Sequence, residues 1–129
     1  MQIVVLASQK GGAGKTTMTG HLAIAAEQRG AKPVVMIDTD PQGSLSTWWN
    51  RRKANTPLLS PLPHLRELPT RLDELRHGNV ALVLIDTPPA ITSAIREVMR
   101  VADLVVMPVR PSPHRQPTSH LCSRSPRPR

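Results

Sequence analysis

The chain has 129 residues and a formal net charge of +8, from 17 basic and 9 acidic side chains. This length favours a single domain that can bury a core, although it is short for a doubly wound α/β fold. No apolar run approaches the roughly 18 residues of a membrane span, and the N-terminus lacks a secretory signal pattern. A single cysteine, Cys122, excludes an internal disulfide, which fits a cytoplasmic protein.

A glycine-rich loop lies between the first predicted strand, residues 3–6, and the first predicted helix, residues 15–29. Glycines lack Cβ atoms, so successive backbone N–H groups can point at one anion, and the helix adds its positive N-terminal end. Lys15 can then reach the terminal phosphates of a nucleotide, and the Thr16 hydroxyl can bind the accompanying Mg²⁺. The predicted phosphate-binding residues are Lys10, Gly11, Gly12, Ala13, Gly14, Lys15, Thr16 and Thr17. The residues predicted to face the core from this helix are Met18, Leu22, Ala25 and Ala26.

Two further buried-strand patterns end in aspartate. Residues 34–37 lead to Asp38, and residues 82–85 lead to Asp86. The carboxyl ends of neighbouring parallel strands converge on the crevice where open α/β sheets bind ligands. Hard oxygen atoms are the ligands that Mg²⁺ requires. The predicted metal ligands are therefore Thr16, Asp38 and Asp86.

Residues 44–53 have the pattern of a second helix. Trp48 and Trp49 are adjacent, about 100° apart on a helix, so we expect one to pack and the other to lie at a rim or a partner interface. The basic residues 51–53 are expected to be a solvated helix end. Residues 55–63 contain three prolines and are predicted to be a loop.

The second half of the sequence continues the alternation of predicted helices and strands. A third helix is predicted to begin at Thr70 and end at Gly78, followed by a strand at 80–86, a fourth helix and a strand at 104–107. The predicted inner faces of the two helices are Leu68, Leu72 and Leu75, then Ile91, Ile95, Val98, Met99 and Ala102. Continuously apolar strands alternating with helices predict an α/β fold, a doubly wound parallel sheet with helices on both faces.

These motifs resemble the ParA/MinD group of deviant Walker A P-loop ATPases, and within it the small ParA-type partition ATPases. Residues 9–17 (QKGGAGKTT) are similar to the family's first box, with Gln9 where the common P-loop has glycine. Residues 38–45 (DTDPQGSL) resemble its second box, 84–89 (LIDTPP) its Walker B strand, and 107–113 (MPVRPSP) the loop after the next strand. The likeness covers about residues 1–114 and implies a P-loop NTPase fold, here incomplete.

The resemblance implies an ATPase of plasmid or chromosome partition that uses ATP and Mg²⁺. It implies that Lys10 reaches across a homodimer interface to the partner's nucleotide and that Asp40 orients the attacking water. The predicted catalytic residues are then Lys10, Lys15 and Asp40. By the same resemblance, the ATP-bound dimer binds nucleoid DNA without sequence preference, and a centromere-binding ParB-type partner stimulates hydrolysis. No membrane partner is expected.

The basic residues at the end of the chain leave alternatives open. Residues 110–129 carry five arginines and no acid, so the predicted ATPase domain, residues 1–109, has a balance of only +3. The proline-rich segment is predicted to be disordered. One alternative is a tail that binds nucleic acid. The other, which we favour, is a frameshift or truncation near His114, and it predicts an inactive fragment. A MinD-like positioning ATPase is the third alternative, but this sequence lacks the C-terminal amphipathic helix that it requires.

Overall fold

The computed structural model describes residues 1–9, 11 and 14–111. In this part of the chain, five strands form one sheet: β1 (Gln2–Leu6), β2 (Val34–Asp38), β3 (Leu58–Ser60), β4 (Leu82–Asp86) and β5 (Leu104–Val106). The helices are α1 (Lys15–Gln28), α2 (Ser44–Asn50), α3 (Leu68–His77) and α4 (Ser93–Arg100). The strand order is β3-β2-β4-β1-β5, and every neighbouring pair is parallel. The predicted parallel α/β fold is confirmed, whereas the predictions for Lys10, Gly12, Ala13 and residues 112–129 lie outside the described residues.

Helices cover both faces of this sheet. Side chains alternate between the faces of a strand, so each continuously apolar strand contributes to two cores. The first core joins the sheet to α3 and α4 through Ile3, Val5, Val35, Ile37, Val83, Ile85, Leu68, Leu72 and Val98. The second joins it to α1 and α2 through Leu6, Val34, Met36, Leu84, Ala23 and Leu45. Each large aliphatic side chain buried in this way contributes about 1.5–3 kcal/mol to stability.

The strand register brings the predicted site residues to one edge. Leu6, the last residue of β1, pairs with Asp86 at the end of β4, and Asp38 at the end of β2 pairs with the same aspartate. The predicted phosphate-binding loop begins at Lys10, and three residues separate it from the end of β1. Both aspartates therefore lie at the edge of the sheet where β1 ends, and Asp86 contacts Lys15 and Thr16 at the start of α1.

The short edge strand β3 corrects the predicted loop at 55–63. Leu58–Ser60 pairs in parallel with β2 and is bounded by Pro57 and Pro61. An edge strand bonds to a neighbour on one side only, so prolines at its ends remove little of the ladder. The three prolines restrict the length of this strand without preventing it.

The inward face of α1 also differs from the prediction. Leu22 is 40% exposed, whereas Thr19, Gly20 and Ala23 are buried. The sequence predicts that Met18, Ala25 and Ala26 face inward together with Leu22. Of these residues, Met18 and Ala26 pack at the margin of the second core. Small residues face inward because α1 lies close to the sheet and to α2, so the larger Leu22 side chain is left outside.

The other helices keep their predicted positions but change their limits. The second helix ends at Asn50 instead of residue 53, and α3 begins at Leu68, with proline in its first turn, instead of at Thr70. Gly78 follows the last residue of α3 as predicted. The fourth helix begins after Thr92, whose hydroxyl accepts a 3.3 Å hydrogen bond from the Ile95 N–H.

Both tryptophans of α2 are partly buried and pack against the second core, so the expectation that only one packs is wrong. The ring of Trp48 covers α1 at Gly20, where a Cβ atom would lie only 2.8 Å from the ring. The Trp49 indole N–H donates a 2.7 Å hydrogen bond to the Pro57 carbonyl, which links α2 to the start of β3. Arg52 is not simply solvated, because its guanidinium lies 5.0 Å from the centre of the Trp48 ring.

Candidate functional site

The carboxylate of Asp86 is the centre of the site. Its Oδ1 atom accepts a 2.8 Å charged hydrogen bond from Lys15 Nζ, and its Oδ2 atom accepts one of the same length from the Thr16 hydroxyl. The side chain of Lys15 is 7% exposed and that of Asp86 is not exposed at all. The lysine and the hydroxyl predicted to bind phosphate and metal are thus joined by one buried carboxylate.

Burial raises the pKa of Asp86 above its ordinary value, because the charged form loses its hydration. The hydrogen bond and positive charge of Lys15 act against this rise in pKa, and so does the Thr16 hydroxyl. The nearby negative charge of Asp38 adds slightly to the rise. The positive charge of Lys15 thus opposes the effect of burial on the pKa of Asp86.

The carboxylate of Asp38 has a different set of partners. Its Oδ1 atom accepts a 3.1 Å hydrogen bond from the Asp40 N–H, and its Oδ2 atom accepts bonds from the N–H and the hydroxyl of Ser46, at 3.0 and 2.9 Å. Ser46 lies in the first turn of α2, whose preceding residue, Gly43, provides no side-chain cap. Asp38 therefore caps α2 and closes the loop that carries Asp40, and its role as a metal ligand stays a prediction.

Asp40 lies in the middle of that closed loop. Its Oδ1 atom accepts a 2.9 Å hydrogen bond from the Gln42 N–H, and its carbonyl accepts another of 2.9 Å from the Gly43 N–H. Gly43 has a φ of +64°, a left-handed conformation that favours glycine. With Pro41 and residues 62–66, the loop lines an open cleft of about 540 Å³. Asp40 is thus held at the wall of a space that water can enter.

Two threonines that the sequence analysis missed anchor the strand ends. The N–H and hydroxyl of Thr39 donate to the Asp86 carbonyl, at 2.9 and 2.7 Å, and the buried Thr87 hydroxyl donates to the Leu6 carbonyl at 2.7 Å. Ser46 was missed as well. A repeat in the sequence could have indicated the threonines, because each strand-ending aspartate is followed directly by threonine.

The part of the phosphate-binding loop that the structure describes leads into α1 through Gly14, which has a φ of +80° and precedes the first helical residue. The N-cap residue Gly14 has no side chain and therefore makes no side-chain hydrogen bond to the first N–H groups of α1. Gly11 and Thr17 are exposed, and their role in phosphate binding stays a prediction. Lys15 and Thr16 are the residues of this segment that meet Asp86.

The donor set at the site fits a magnesium ion bound together with a phosphate. Across the described residues, no group of three or more histidine, cysteine, aspartate or glutamate side chains could hold a metal ion. Mg²⁺ usually takes one or two protein oxygens and completes its shell with water and phosphate oxygens. The adjacent oxygens of Thr16 and Asp86 provide that number, so these two residues fit the metal when a phosphate supplies the rest.

Comparison with protein families shows the family to which the chain belongs. The model of the CobQ/CobB/MinD/ParA nucleotide-binding domain matches residues 4–120. The chain belongs to this family. It is 40% identical over 116 residues to the maintenance of carboxysome distribution protein A of Gloeobacter kilaueensis, a match covering 87% of this chain and 50% of the relative. It is 34% identical over 113 residues to the protein ParA of Rhizobium radiobacter, covering 86% and 50%. The chain thus spans about half the length of the curated relatives it matches.

Solved structures of the family share the fold. The cobyrinic acid a,c-diamide synthase of Mycobacterium smegmatis, solved with an ATP analogue and magnesium, matches with a TM-score of 0.68 and 22% identity, over 84% of this chain and 60% of that one. The pNOB8 ParA bound to non-specific DNA matches with a TM-score of 0.60 and 21% identity, over 83% and 53%. None of the helices in the described residues is long and apolar enough to span a membrane.

Proposed function

We propose that this chain binds Mg-ATP through Lys15, Thr16 and Asp86 and carries the nucleotide site of a ParA-type partition ATPase. The observation that carries the proposal is the contact of Lys15 and Thr16 with one carboxylate, at the strand ends and beside the start of α1. Support comes from the family and from relatives named ParA and carboxysome distribution protein A. Solved relatives include one with an ATP analogue and magnesium.

Each residue of the site has a distinct role in this proposal. Lys15 neutralises the terminal phosphates, and Thr16 and Asp86 hold the metal, which supplies a further positive charge to the phosphates. Asp40 orients the attacking water, for which its place on the wall of the open cleft is suitable. Asp38 holds the loop of Asp40 closed by accepting hydrogen bonds from the Asp40 N–H and from Ser46. It also binds the metal through a water molecule. Phosphoryl transfer requires this positioning and charge neutralisation more than covalent catalysis.

The activity of the whole ATPase is part of the same proposal. Lys10 reaches the nucleotide of a second subunit, ATP closes a cytoplasmic homodimer, and that dimer binds nucleoid DNA without sequence preference. A solved ParA with 21% identity is bound to non-specific DNA, which supports the class of nucleic acid. A centromere-binding partner of the ParB type stimulates hydrolysis. Because residues 1–109 carry a net charge of only +3, we expect DNA binding to depend on dimer formation more than on net charge.

A binding experiment with matched variants tests the nucleotide site. We expect Lys15→Ala to lower the affinity for labelled Mg-ATP at least about tenfold, because the phosphates lose their buried cation. Asp40→Ala should change the affinity less than about threefold, since water positioning affects hydrolysis and not binding. Circular dichroism of each variant checks that the fold is kept. Equal binding of Mg-ATP by the wild type and a folded Lys15→Ala variant would exclude the proposed site.

A further inference from the structure

The charged side chains are divided unevenly between the two helical layers. Apart from Lys15, the layer of α1 and α2, with the loops that follow these helices, carries five basic residues and one acid: Arg29, Lys32, Arg51, Arg52 and Lys53, with Glu27. The layer of α3 and α4, with the turn before α3, carries five arginines and four acids: Arg66, Arg71, Arg76, Arg96 and Arg100, with Glu67, Asp73, Glu74 and Glu97. The five basic residues of the first layer are called the basic face below.

Ion pairs neutralise the second layer but not the basic face. Three arginines of α3 and α4 pair with an acid one helical turn away: Arg71 with Glu74, Arg76 with Asp73 and Arg100 with Glu97. Every acidic side chain of the sequence lies within the described residues, and among these residues none forms a salt bridge with the basic face. The positive charge of this face is therefore available to a partner.

The fold brings the basic face to one end of the molecule. The helices α1 and α2 each follow a strand of the parallel sheet and cover the same side of it, so both run towards the edge where the strands begin. Val35 of β2 pairs with Leu58 of β3, so the segments 29–33 and 51–57 enter the sheet side by side. The basic face thus lies at the edge of the sheet opposite the proposed nucleotide site.

The guanidinium group of Arg52 is held in place without a counter-ion. It lies 5.0 Å from the centre of the Trp48 ring, and its Nη1 atom is buried without a hydrogen-bond acceptor in the described residues. Stacking on the ring fixes the plane of the group, but the fold supplies no carboxylate to balance its charge. Arg29, Lys32, Arg51 and Lys53 are exposed around it. An array of phosphates would provide the negative charge that this face lacks.

We propose that the basic face binds the phosphate backbone of DNA and that this binding requires no ATP. Clustered lysine and arginine side chains without acids attract the regular negative charge of a duplex. A lipid surface fits less well, because binding to it requires apolar side chains that enter the membrane, and both tryptophans of α2 pack against the second core. This contact goes beyond the proposed function, in which DNA binding depends on ATP.

The experiment measures binding of a short DNA duplex of random sequence by fluorescence anisotropy, on the 129-residue chain in EDTA without nucleotide. Arg51→Gln combined with Lys53→Gln should lower the affinity at least about tenfold and reduce the salt dependence by about two released counterions. The matched control combines Arg76→Gln with Arg96→Gln, which removes the same charge from exposed positions on α3 and α4. We expect this control to change the affinity less than about threefold, because salt screens distant charges.

The outcomes separate this inference from the proposed function. The arginines after residue 109 are the same in both double variants, so equal losses of affinity would overturn the inference, because net charge alone would explain them. A requirement for ATP would overturn it as well. So would a loss in the Arg51 and Lys53 variant that affects binding to phosphatidylglycerol vesicles and not to DNA. Failure to bind Mg-ATP would instead refute the proposed function, since this experiment contains no nucleotide.

A second measurement on the wild type avoids reliance on the folding of a variant. Both tryptophans of the chain lie on α2, and Trp48 is next to Arg52. Saturation with the duplex in EDTA should therefore change the tryptophan emission, and added salt should reverse the change as the DNA dissociates. Emission that stays unchanged at saturation would contradict binding at the basic face.

Discussion

Replacement of Lys15 by methionine tests how strongly the buried ion pair is coupled. Lys15→Met keeps a long side chain and removes the ammonium that lies 2.8 Å from Asp86. The remaining carboxylate is fully buried, so we expect the free energy of unfolding at pH 7 to fall by about 3 kcal/mol, the usual cost of removing one partner of a buried pair. Adding Asp86→Asn should recover about 2 kcal/mol, because the unpaired charge is then absent.

An exposed ion pair provides the matched control for this cycle. Arg100 and Glu97 on α4 also lie 2.8 Å apart, but their side chains are 75% and 67% exposed. We expect Arg100→Met and Glu97→Gln to show a coupling energy below about 0.5 kcal/mol, since water screens exposed charges. The two pairs have the same separation and differ strongly in burial, so we expect the buried pair to have the larger coupling energy.

The pH dependence of the free energy of unfolding tests the Lys15–Asp86 pair independently. The pKa of Asp86 is raised in the folded state, so the folded protein binds its proton more readily than the unfolded chain does. The contribution of this carboxyl to stability is therefore greatest at low pH and is lost as pH rises through the folded pKa. Without Lys15 the pKa is higher still, so the deficit of Lys15→Met relative to the wild type should grow from about pH 4 to pH 7.

Urea unfolding followed by tryptophan fluorescence and circular dichroism measures these free energies. A coupling energy for Lys15 and Asp86 as small as that of Arg100 and Glu97 would refute the reasoning. So would a deficit of Lys15→Met that is independent of pH.

Two other substitutions test the packing of α1 by urea unfolding. Gly20→Ala should lower the free energy of unfolding by about 1–2 kcal/mol, because the new Cβ meets the Trp48 ring at 2.8 Å. The same change in a Trp48→Leu background should be neutral or stabilising. Destabilisation by the same amount in both backgrounds would contradict the contact. Leu22→Asp should change stability by less than about 1 kcal/mol, whereas Ala23→Asp at the fully buried neighbouring position should cost about 3 kcal/mol or more; the reverse order of the two effects would show that the inward face is assigned wrongly.

The sequence by itself determined the features that depend on local pattern. Continuously apolar runs that end in Asp38 and Asp86 predicted central parallel strands, because strands covered on both faces have no polar face. The glycine-rich loop before Lys15 predicted the phosphate site, since its position between a strand and a helix follows from adjacent residues. That Asp38 and Asp86 lie at the same edge of the sheet followed from topology, because parallel strands bring their carboxyl ends to one edge.

Only the tertiary structure decided which side chains make the contacts. Lys15 and Asp86 are 71 residues apart, and their pairing depends on the register of β1 and β4. The strand β3 forms because β2 offers an open edge, and no pattern within three residues could reveal that. The small inward face of α1 at Ala23 depends on how closely the helix approaches the sheet, so Leu22, the more apolar residue, was the wrong one to place inside. Periodicity shows which residues share a face, but the distance to the neighbouring element decides which face is buried.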